Sequence, residues 1–598
     1  DVADAMIARL IARHGRTVYA PVEARAAQAL AAATGDSRAL ADVIERFPHS
    51  DAAGEAVRSL MDLAVAQGDL EAAARCYRAG RDREHVGPGL QRRLLEAARK
   101  RGNLPFAAAL AARLRERHGS VVSDLPADGG RTYADAVAIE LPPPPPPPPP
   151  VVAPTHRTLD LLPLVPGNRL QCVPVRPVAG FTAPASLPLC VLEGGTVLRA
   201  HLLEGEDPAA PAWTLDAPRL NAHAPLLACG ELLLVVEQDR VRAVQLADGR
   251  VLWTRNAPDD RSFYGLGVHT GLLQVFSEHP AASDGGRLLG IEPLTGTIVH
   301  ERVFSVHEAS LSPVAAGGSL WSLRPEPDDR SRVWLEEIDP LSGATLHRVA
   351  LDDQARELLG LDGHPTVHAA LVRILSRLFV HDDLVVLAGD GASENPQRPP
   401  AIVALQRDGS VRWSWRGTPR RALVYLWHRG DVLALYEAGM QLGGQMWFLD
   451  LRNRGRELHR IGELQGSVHA LTPQRGMHQD QQGPPALVLA AHSRSGWSLV
   501  CQALGGDKPR FRARLTGDGE LGNPVAHPVF GADFVLVAVN MIGRDESFLH
   551  LFDIASAREQ RLRLSGVQVS RVTAAGASVA LETADGITIL GNRGTPLR

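Results

Sequence analysis

Two hydrophobic textures divide the chain. Over residues 1 to 118, apolar residues recur at helical spacing among Ala, Leu, Arg and Glu, the pattern of helices that each bury one stripe. Beyond about residue 157, short apolar runs alternate with Gly and Asp turns and helix signals are few, which predicts a succession of short strands. Between them, residues 119 to 156 lose helical periodicity and contain the uninterrupted run Pro142 to Pro150. Such a run is a polyproline II rod of roughly 30 Å, at about 3.1 Å per residue. No flanking basic residue completes a ligand motif, so a semi-rigid spacer is expected. The predicted domains are therefore 1–118 (helical), 119–156 (linker) and 157–598 (all-β).

In the helical part a small motif recurs as Gly35-Asp36, Gly68-Asp69 and Gly102-Asn103, at spacings of 33 and 34 residues. Gly supplies the turn's unusual backbone angles, and Asp or Asn caps the helix that follows. In the middle unit Val57, Leu60, Met61 and Ala64 would line a first helix, and Ala73 and Tyr77 a second. The period and the turn Glu45-Arg46-Phe47-Pro48-His49-Ser50 resemble tetratricopeptide repeats. Large aromatic anchors are missing from the other units, and Pro88 and Pro105 interrupt or begin helices. The resemblance implies either a concave groove that holds a peptide or a partner's helix, or a structural cap or oligomerisation piece.

In the β part, Glu231-Leu-Leu-Leu-Val-Val236 reads as a buried strand and Val241-Arg-Ala-Val-Gln-Leu246 as an alternating one. Asp248-Gly249 makes a turn, and Val251-Leu252-Trp253-Thr254 is an outer strand. The turn-plus-strand cue returns at Gly296, Gly343 and Gly409, more faintly at Gly455, Gly506 and Ala557, with a degenerate first copy near Asp207. Most spacings are 42–51 residues; one is 66. Four strands per 40 to 50 residues signify propeller blades. The segments VRAVQLADGRVLWTRNAP (241–258) and AIVALQRDGSVRWSWRG (401–417) resemble the repeat of pyrroloquinoline-quinone proteins, in which the Trp docks between blades. Trp213, Trp253 and Trp413 match that position; His300, His347 and His459 replace or blur it. Eight cues plus a partial unit at about 569–590, closed by a strand from about 168–176, would make nine units. The family's usual number sets the expectation at eight blades, with seven as the fallback.

The resemblance also implies a chemistry to look for. Quinoprotein dehydrogenases carry vicinal cysteines beside the quinone and calcium held by Glu, Asn and Asp. This chain has no adjacent cysteines among its five. Asp390, Glu394 and Asn395 sit in a Gly/Pro-rich turn and read as loop. The 66-residue spacing hides an insertion at about 352–371, with His364 and His368 inside it and His381-Asp382-Asp383 just beyond. Histidines four apart on a helix can chelate zinc, but Pro365 disfavours helix at His364. Those three histidines are the metal candidates, against a plain surface elaboration of the blade. The loop at Met477-His478-Gln479-Asp480 reads as a blade connection. No phosphate-binding loop or nucleophile elbow occurs, so no catalytic residue and no cofactor is assigned.

Composition narrows the partners. A formal net charge of −4 gives no electrostatic reason to expect nucleic acid, which normally demands a basic face. No apolar run approaches the ~20 residues of a membrane-spanning helix. Scattered cysteines suit neither a disulfide framework nor a zinc site. The chain starts at Asp1 with neither Met nor signal peptide, so an upstream segment is expected to have been removed or left out. Within the family, BamB-like propellers lack the cofactor machinery and hold protein partners on inter-blade loops. The resemblance thus implies a non-enzymatic scaffold in bacterial cell-envelope assembly, with periplasm or envelope favoured over cytoplasm. One partner would sit on the helical repeats and one on the propeller, held apart by the rod. The alternatives are a propeller binding a quinone, metal or small ligand, and the regulatory C-terminal part of a larger polypeptide.

Overall fold

The structure, a computed structural model, describes residues 2–137 and 156–591 except 34, 81–85, 164–169, 183, 185–186, 203–209, 221–225, 258–260, 279–283, 306–311, 327–331, 362–366, 391–397, 440–443, 465–467, 471–485, 494–495, 504–510, 517–521, 526–528, 531–533, 554–555, 576–577 and 584–585.

Helices α1 (Val2–His14), α2 (Ala20–Ala32), α3 (Ser37–Arg46), α4 (Asp51–Gln67), α5 (Leu70–Gly80), α6 (Gly87–Lys100) and α7 (Leu104–His118) come first. The Gly-Asp/Asn motif separates α2 from α3, α4 from α5 and α6 from α7, giving three helical hairpins. Asp36 caps α3, with Arg38 N–H donating to its Oδ1 at 2.9 Å. Asp69 caps α5 in the same way, through Ala72 N–H at 2.9 Å. The first helices of the hairpins, α2, α4 and α6, neighbour one another and form an inner row. Val57, Met61, Ala64, Ala73 and Tyr77 are buried as expected, while Leu60 is partly buried. Pro88 and Pro105 stand in the first turns of α6 and α7, where a missing N–H costs nothing.

Two expectations about the linker change. Residues 119–137 belong to the helical domain: they fold back through α8 (Tyr133–Ala136) and bury Tyr133 and Val137. The proline run itself lies outside the described residues, but the modules on either side are not held apart. Phe106, Leu110, Leu114 and Tyr77 share one hydrophobic core with Leu272, Val299 and Leu341 of the β part.

Among the described residues, nine antiparallel sheets of four principal strands follow. They span 170–216, 226–256, 262–305, 314–350, 379–416, 421–464, 468–514, 522–565 and 569–591, and are called blades one to nine. In most, the fourth strand is the exposed edge, as in Thr345–Ala350 and Glu559–Ser565. Buried clusters join each blade to the next, except six to seven, where the side chains of 461–496 lie outside the described residues. Blade nine packs on blade one through Ala580, Ile587 and Ile589 against Cys172 and Val191. This is a β-propeller.

The count corrects the expectation of eight blades, or seven: every repeat cue corresponds to a sheet, including the degenerate one ending at Trp213. The closing strand is also different. His156–Pro163 supplies the fourth strand of blade nine, pairing with Gly586–Gly591. Residues 170–177 instead form the first strand of blade one and then cross into blade two, where Val175–Pro177 runs parallel to Leu226–Ala228. Pairing the strand that precedes blade one with the last strand of blade nine ties the two ends of the propeller together within one sheet.

The recurrent turn glycine has a packing cause. Trp213 of blade one donates its Nε1–H to Leu246 O of blade two at 2.8 Å. Its ring lies so close to Gly249 that a Cβ there would come within 2.6 Å. Trp253 repeats this on blade three, donating to Pro293 O at 2.9 Å beside Gly296. In blade three His300 takes the Trp position, with Nε2 2.9 Å from Pro340 O beside Gly343. Trp413 packs on Gly455 of blade six. His347 and His459 do otherwise: His347 is half exposed, and His459 stacks on Phe448 of its own blade.

Candidate interaction faces

In an antiparallel blade, the first and third turns lie at one end of the strands. The second turn and the connection to the next blade lie at the other. The propeller therefore has two faces, built from different loops.

The first face is occupied by the chain's own helices. Asn103 is completely buried at the start of α7. Its Oδ1 accepts from Phe106 N–H at 3.1 Å, and its Nδ2 donates to Gly271 O at 3.0 Å and to Glu292 Oε1 at 2.7 Å. Gly271 is the first turn of blade three, and a Cβ there would come 2.3 Å from Phe106 N. Glu292 opens the third turn of that blade, Glu292-Pro-Leu-Thr-Gly296, where it also accepts from Thr295 N–H at 2.9 Å. In blade four the same turn reads Asp339-Pro-Leu-Ser-Gly343, and Arg113 of α7 pairs with Asp339. Arg78 of α5 donates to Ile298 O.

The two buried acids respond to pH in opposite senses. Burial raises the Glu292 carboxyl above its ordinary 4.5, against the donors Thr295 and Asn103. The folded protein then holds more protons than the unfolded chain, so Glu292 makes stability fall as pH rises through that window. Burial also pushes Asp339 up, but the bond and charge of Arg113 outweigh it and leave the carboxyl below 3.8. Its contribution is present above that value and is lost as pH falls through the lowered pKa. Thermal unfolding of Glu292→Gln across pH 4–7 is expected to show a flatter decline with rising pH than the parent; an unchanged slope would remove Glu292 from this account.

The groove read for the helical repeats is filled in the second and third hairpins. Arg92 on α6 makes a two-pronged pair with Asp128, at 2.9 and 2.6 Å. Arg93 bridges Asp62 on α4 at 2.7 Å and Asp124 at 2.8 Å, and Tyr133 Oη–H donates to Asp124 at 3.1 Å. Residues 119–137 thus lie across the inner row. Asp124 presses on Gly89, where a Cβ would come within 2.4 Å.

The second face carries the insertion. Between the last strand of blade four and the first of blade five stand α9 (Asp353–Leu359) and α10 (Val367–Leu375). Ala355, Leu358 and Leu359 of α9 and Leu371, Ile374 and Leu375 of α10 are buried against both blades. The insertion is therefore an integral wedge rather than a loose elaboration. At its end Arg373 Nε lies 2.9 Å from Asp390 Oδ2, Arg377 pairs with the other oxygen, and Arg377 NH2 donates to Leu423 O at 3.1 Å. On the same face, Asn523, Asn540, Ile542, Arg544 and Gln568 line an open pocket of about 530 Å³ at blade eight.

Of the histidine candidates, His364 lies outside the described residues and His368 falls on α10. His381 ends the first strand of blade five at the opposite face, where Nε2 is 3.4 Å from Asp431 and 3.7 Å from Asp382. The topology thus places His381 at the far end of a strand from α10. Among the described residues no trio of His, Cys, Asp or Glu is placed to hold a metal. Asp390 lies in the loop after Leu384–Gly389, as read, and pairs there with Arg373 and Arg377; Glu394, Asn395 and the Met477–Asp480 loop lie outside the described residues.

The cysteines do not fit a quinone site. Cys172 and Cys190 lie on neighbouring strands, but Cys172 packs toward blade nine and Cys190 toward blade two. Burial pushes the Cys190 thiol up to about 12, which makes it inert rather than nucleophilic.

No protein-family model matches the sequence, and no curated protein matches it. Among solved structures, the chain is similar to BamB from Moraxella catarrhalis at 12% identity, over 74% of this chain and 98% of that one, with a TM-score of 0.33. It is similar to a quinohemoprotein alcohol dehydrogenase from Pseudomonas putida at 12% identity, over 62% and 71%, with a TM-score of 0.35. The WD40 domain of SCAP from fission yeast gives 8% identity, 74% and 97% coverage, and a TM-score of 0.33. The propeller is read from the nine sheets and their closure; these likenesses add no site and no reaction.

Proposed function

We propose that this chain is a non-enzymatic protein-binding scaffold whose working surface is the face of the propeller opposite the docked helices. The observation that carries it is the docked face, where blade turns already hold a helical module through a shared apolar core and paired acids. The same fold presents a second set of turns with an inserted helical wedge. The arrangement read from sequence, with a rod separating two binding sites, does not suit a helical module seated on the propeller and partly filled by its own C-terminal segment. That module, of tetratricopeptide-like period, acts here as a fixed part of the scaffold. The repeat resemblance favours a place in bacterial cell-envelope assembly, in the periplasm.

A photo-crosslinking residue at Tyr264 or Ile542, both exposed on the open face, is expected to yield discrete protein adducts in the source cells. The same residue at Asp408, a turn on the helix-bearing face, serves as the control. Absence of adducts from the open face, with saturable stabilisation by pyrroloquinoline quinone and calcium, would replace the scaffold by the ligand-binding reading.

A further inference from the structure

We propose that α1 binds the surface of an anionic lipid bilayer, with Met6 and Leu10 entering the edge of the acyl region and Arg9 and Arg13 holding the headgroups. This surface belongs to the helical module and is independent of the open face of the propeller. Met6 and Leu10 are 58% and 52% exposed, and their spacing of four sets them on one side of the helix. Arg9 and Arg13 each follow one of them by three residues, so a basic stripe runs directly beside the apolar one. Both arginines are exposed, and neither guanidinium has a partner among the described residues. On the other flank Ile7 and Ile11 are partly buried, and the short helical turn Arg16–Tyr19 packs against α1. That turn adds Val18, 54% exposed. Its Arg16 is matched by Glu23 and by Asp51, the latter at 2.8 Å, and so adds no surplus charge. The patch also stands clear of the docking contacts. Among the described residues, α1 and α2 contribute no side chain to the core shared with the propeller.

Charge selects the occupant. From Val2 to Tyr19 the chain carries Arg9, Arg13, His14 and Arg16 against the single acid Asp4. A second copy laid across Met6 and Leu10 would bring two pairs of unmatched guanidiniums to one seam, and like charges there oppose association. An anionic lipid surface meets both stripes at once. At 13 residues α1 is too short to span a bilayer, so it lies in the interfacial plane. There the aliphatic stems of the arginines cover apolar surface while their heads reach lipid phosphates. A free phosphate supplies the anion but leaves Met6 and Leu10 in water.

The test uses the full chain and co-sedimentation with vesicles of phosphatidylcholine, alone or mixed with phosphatidylglycerol. The parent is expected to bind the mixed vesicles, less so as salt is raised, and to leave the neutral ones unbound. Arg9→Gln/Arg13→Gln should weaken binding about tenfold or more, and Met6→Ser/Leu10→Ser should do the same. Arg9→Lys/Arg13→Lys keeps the charge and should retain most of it. Soluble glycerol phosphate should not displace the protein. Thermal unfolding checks that each variant is folded, and light scattering reports the mass of the parent. No binding of the parent to mixed vesicles, equal binding to neutral ones, or undiminished binding by either folded variant, Arg9→Gln/Arg13→Gln or Met6→Ser/Leu10→Ser, would overturn the proposal. So would a dimer that Met6→Ser/Leu10→Ser dissolves, or a photo-crosslinking residue at Leu10 that yields discrete protein adducts instead of lipid. Crosslinking at Tyr264 and Ile542 is untouched by these outcomes, so the two readings fail separately.

Discussion

Replacing Asn103 with Ala is expected to cost about 3 kcal/mol or more, whereas the same change at Asp36 should cost about 1 kcal/mol. Both residues cap a helix from the same position of the same repeated turn. Asp36 does only that, at an exposed site. Asn103 does it while its amide donates to Gly271 O and Glu292 Oε1 inside a sealed interface. Its removal therefore adds to the lost cap a buried carboxylate stripped of a donor, and hydrogen bonds to charged groups are the costly ones to break. Asn103→Asp separates the two roles. It keeps the acceptor for Phe106 N–H but sets a second carboxylate against Glu292, so it should be destabilising at neutral pH and partly relieved in acid. Thermal unfolding followed by circular dichroism measures the losses, and small-angle scattering reports whether the helices leave the propeller. Equal losses at Asp36 and Asn103 would mean that the docking contacts carry little of the stability.

This contrast also marks how far the sequence could be read. Period alone located the hairpins, their caps and the buried faces around Met61 and Tyr77, because those depend on residues close in the chain. Strands, turn glycines and the Trp positions were legible for the same reason, and even the degenerate unit before Trp213 is a blade. The count of nine was present in the cues, and the family's usual number displaced it. Docking was not legible. Asn103 reads as a cap, and Glu292 and Asp339 read as turn formers, which they are. Only the repetition of acid-Pro-Leu-Thr/Ser-Gly in two consecutive blades hinted that these turns share a partner. A stiff proline run suggested separation, yet a rod's length says nothing about whether the modules it joins touch. The ion pairs of Arg373 and Arg377 with Asp390 were hidden similarly, since their nearest sequence neighbours are apolar wedge residues. A histidine pair at helical spacing drew attention to the right insertion for a reason the topology does not support at His381.

The second large effect is expected at the clasp between blades one and two. Gly249→Ala should cost about 3 kcal/mol, and Trp213→Ala about 3–5 kcal/mol. Gly249 has a φ of 72°, which alone penalises a side chain, and its Cβ would overlap the Trp213 ring at 2.6 Å. Gly195 provides the control for the backbone term: its φ is 73° and nothing lies within 4 Å of a Cβ there, so Gly195→Ala should cost only about 1 kcal/mol. The double variant tests whether the two residues act as one device. Once Trp213 is gone, the methyl group introduced by Gly249→Ala has room, so Trp213→Ala/Gly249→Ala should fall well short of the sum of the singles, by about 1–2 kcal/mol. Additive losses would show that Gly249 is needed only for its backbone angle. That outcome would matter beyond this pair, because the same contact recurs at Trp253 with Gly296, His300 with Gly343 and Trp413 with Gly455. At each of these junctions a blade's fourth strand reaches over the next blade's turn. If the coupling is present at one clasp, the glycine in each such turn is there to receive the aromatic ring of the blade before it.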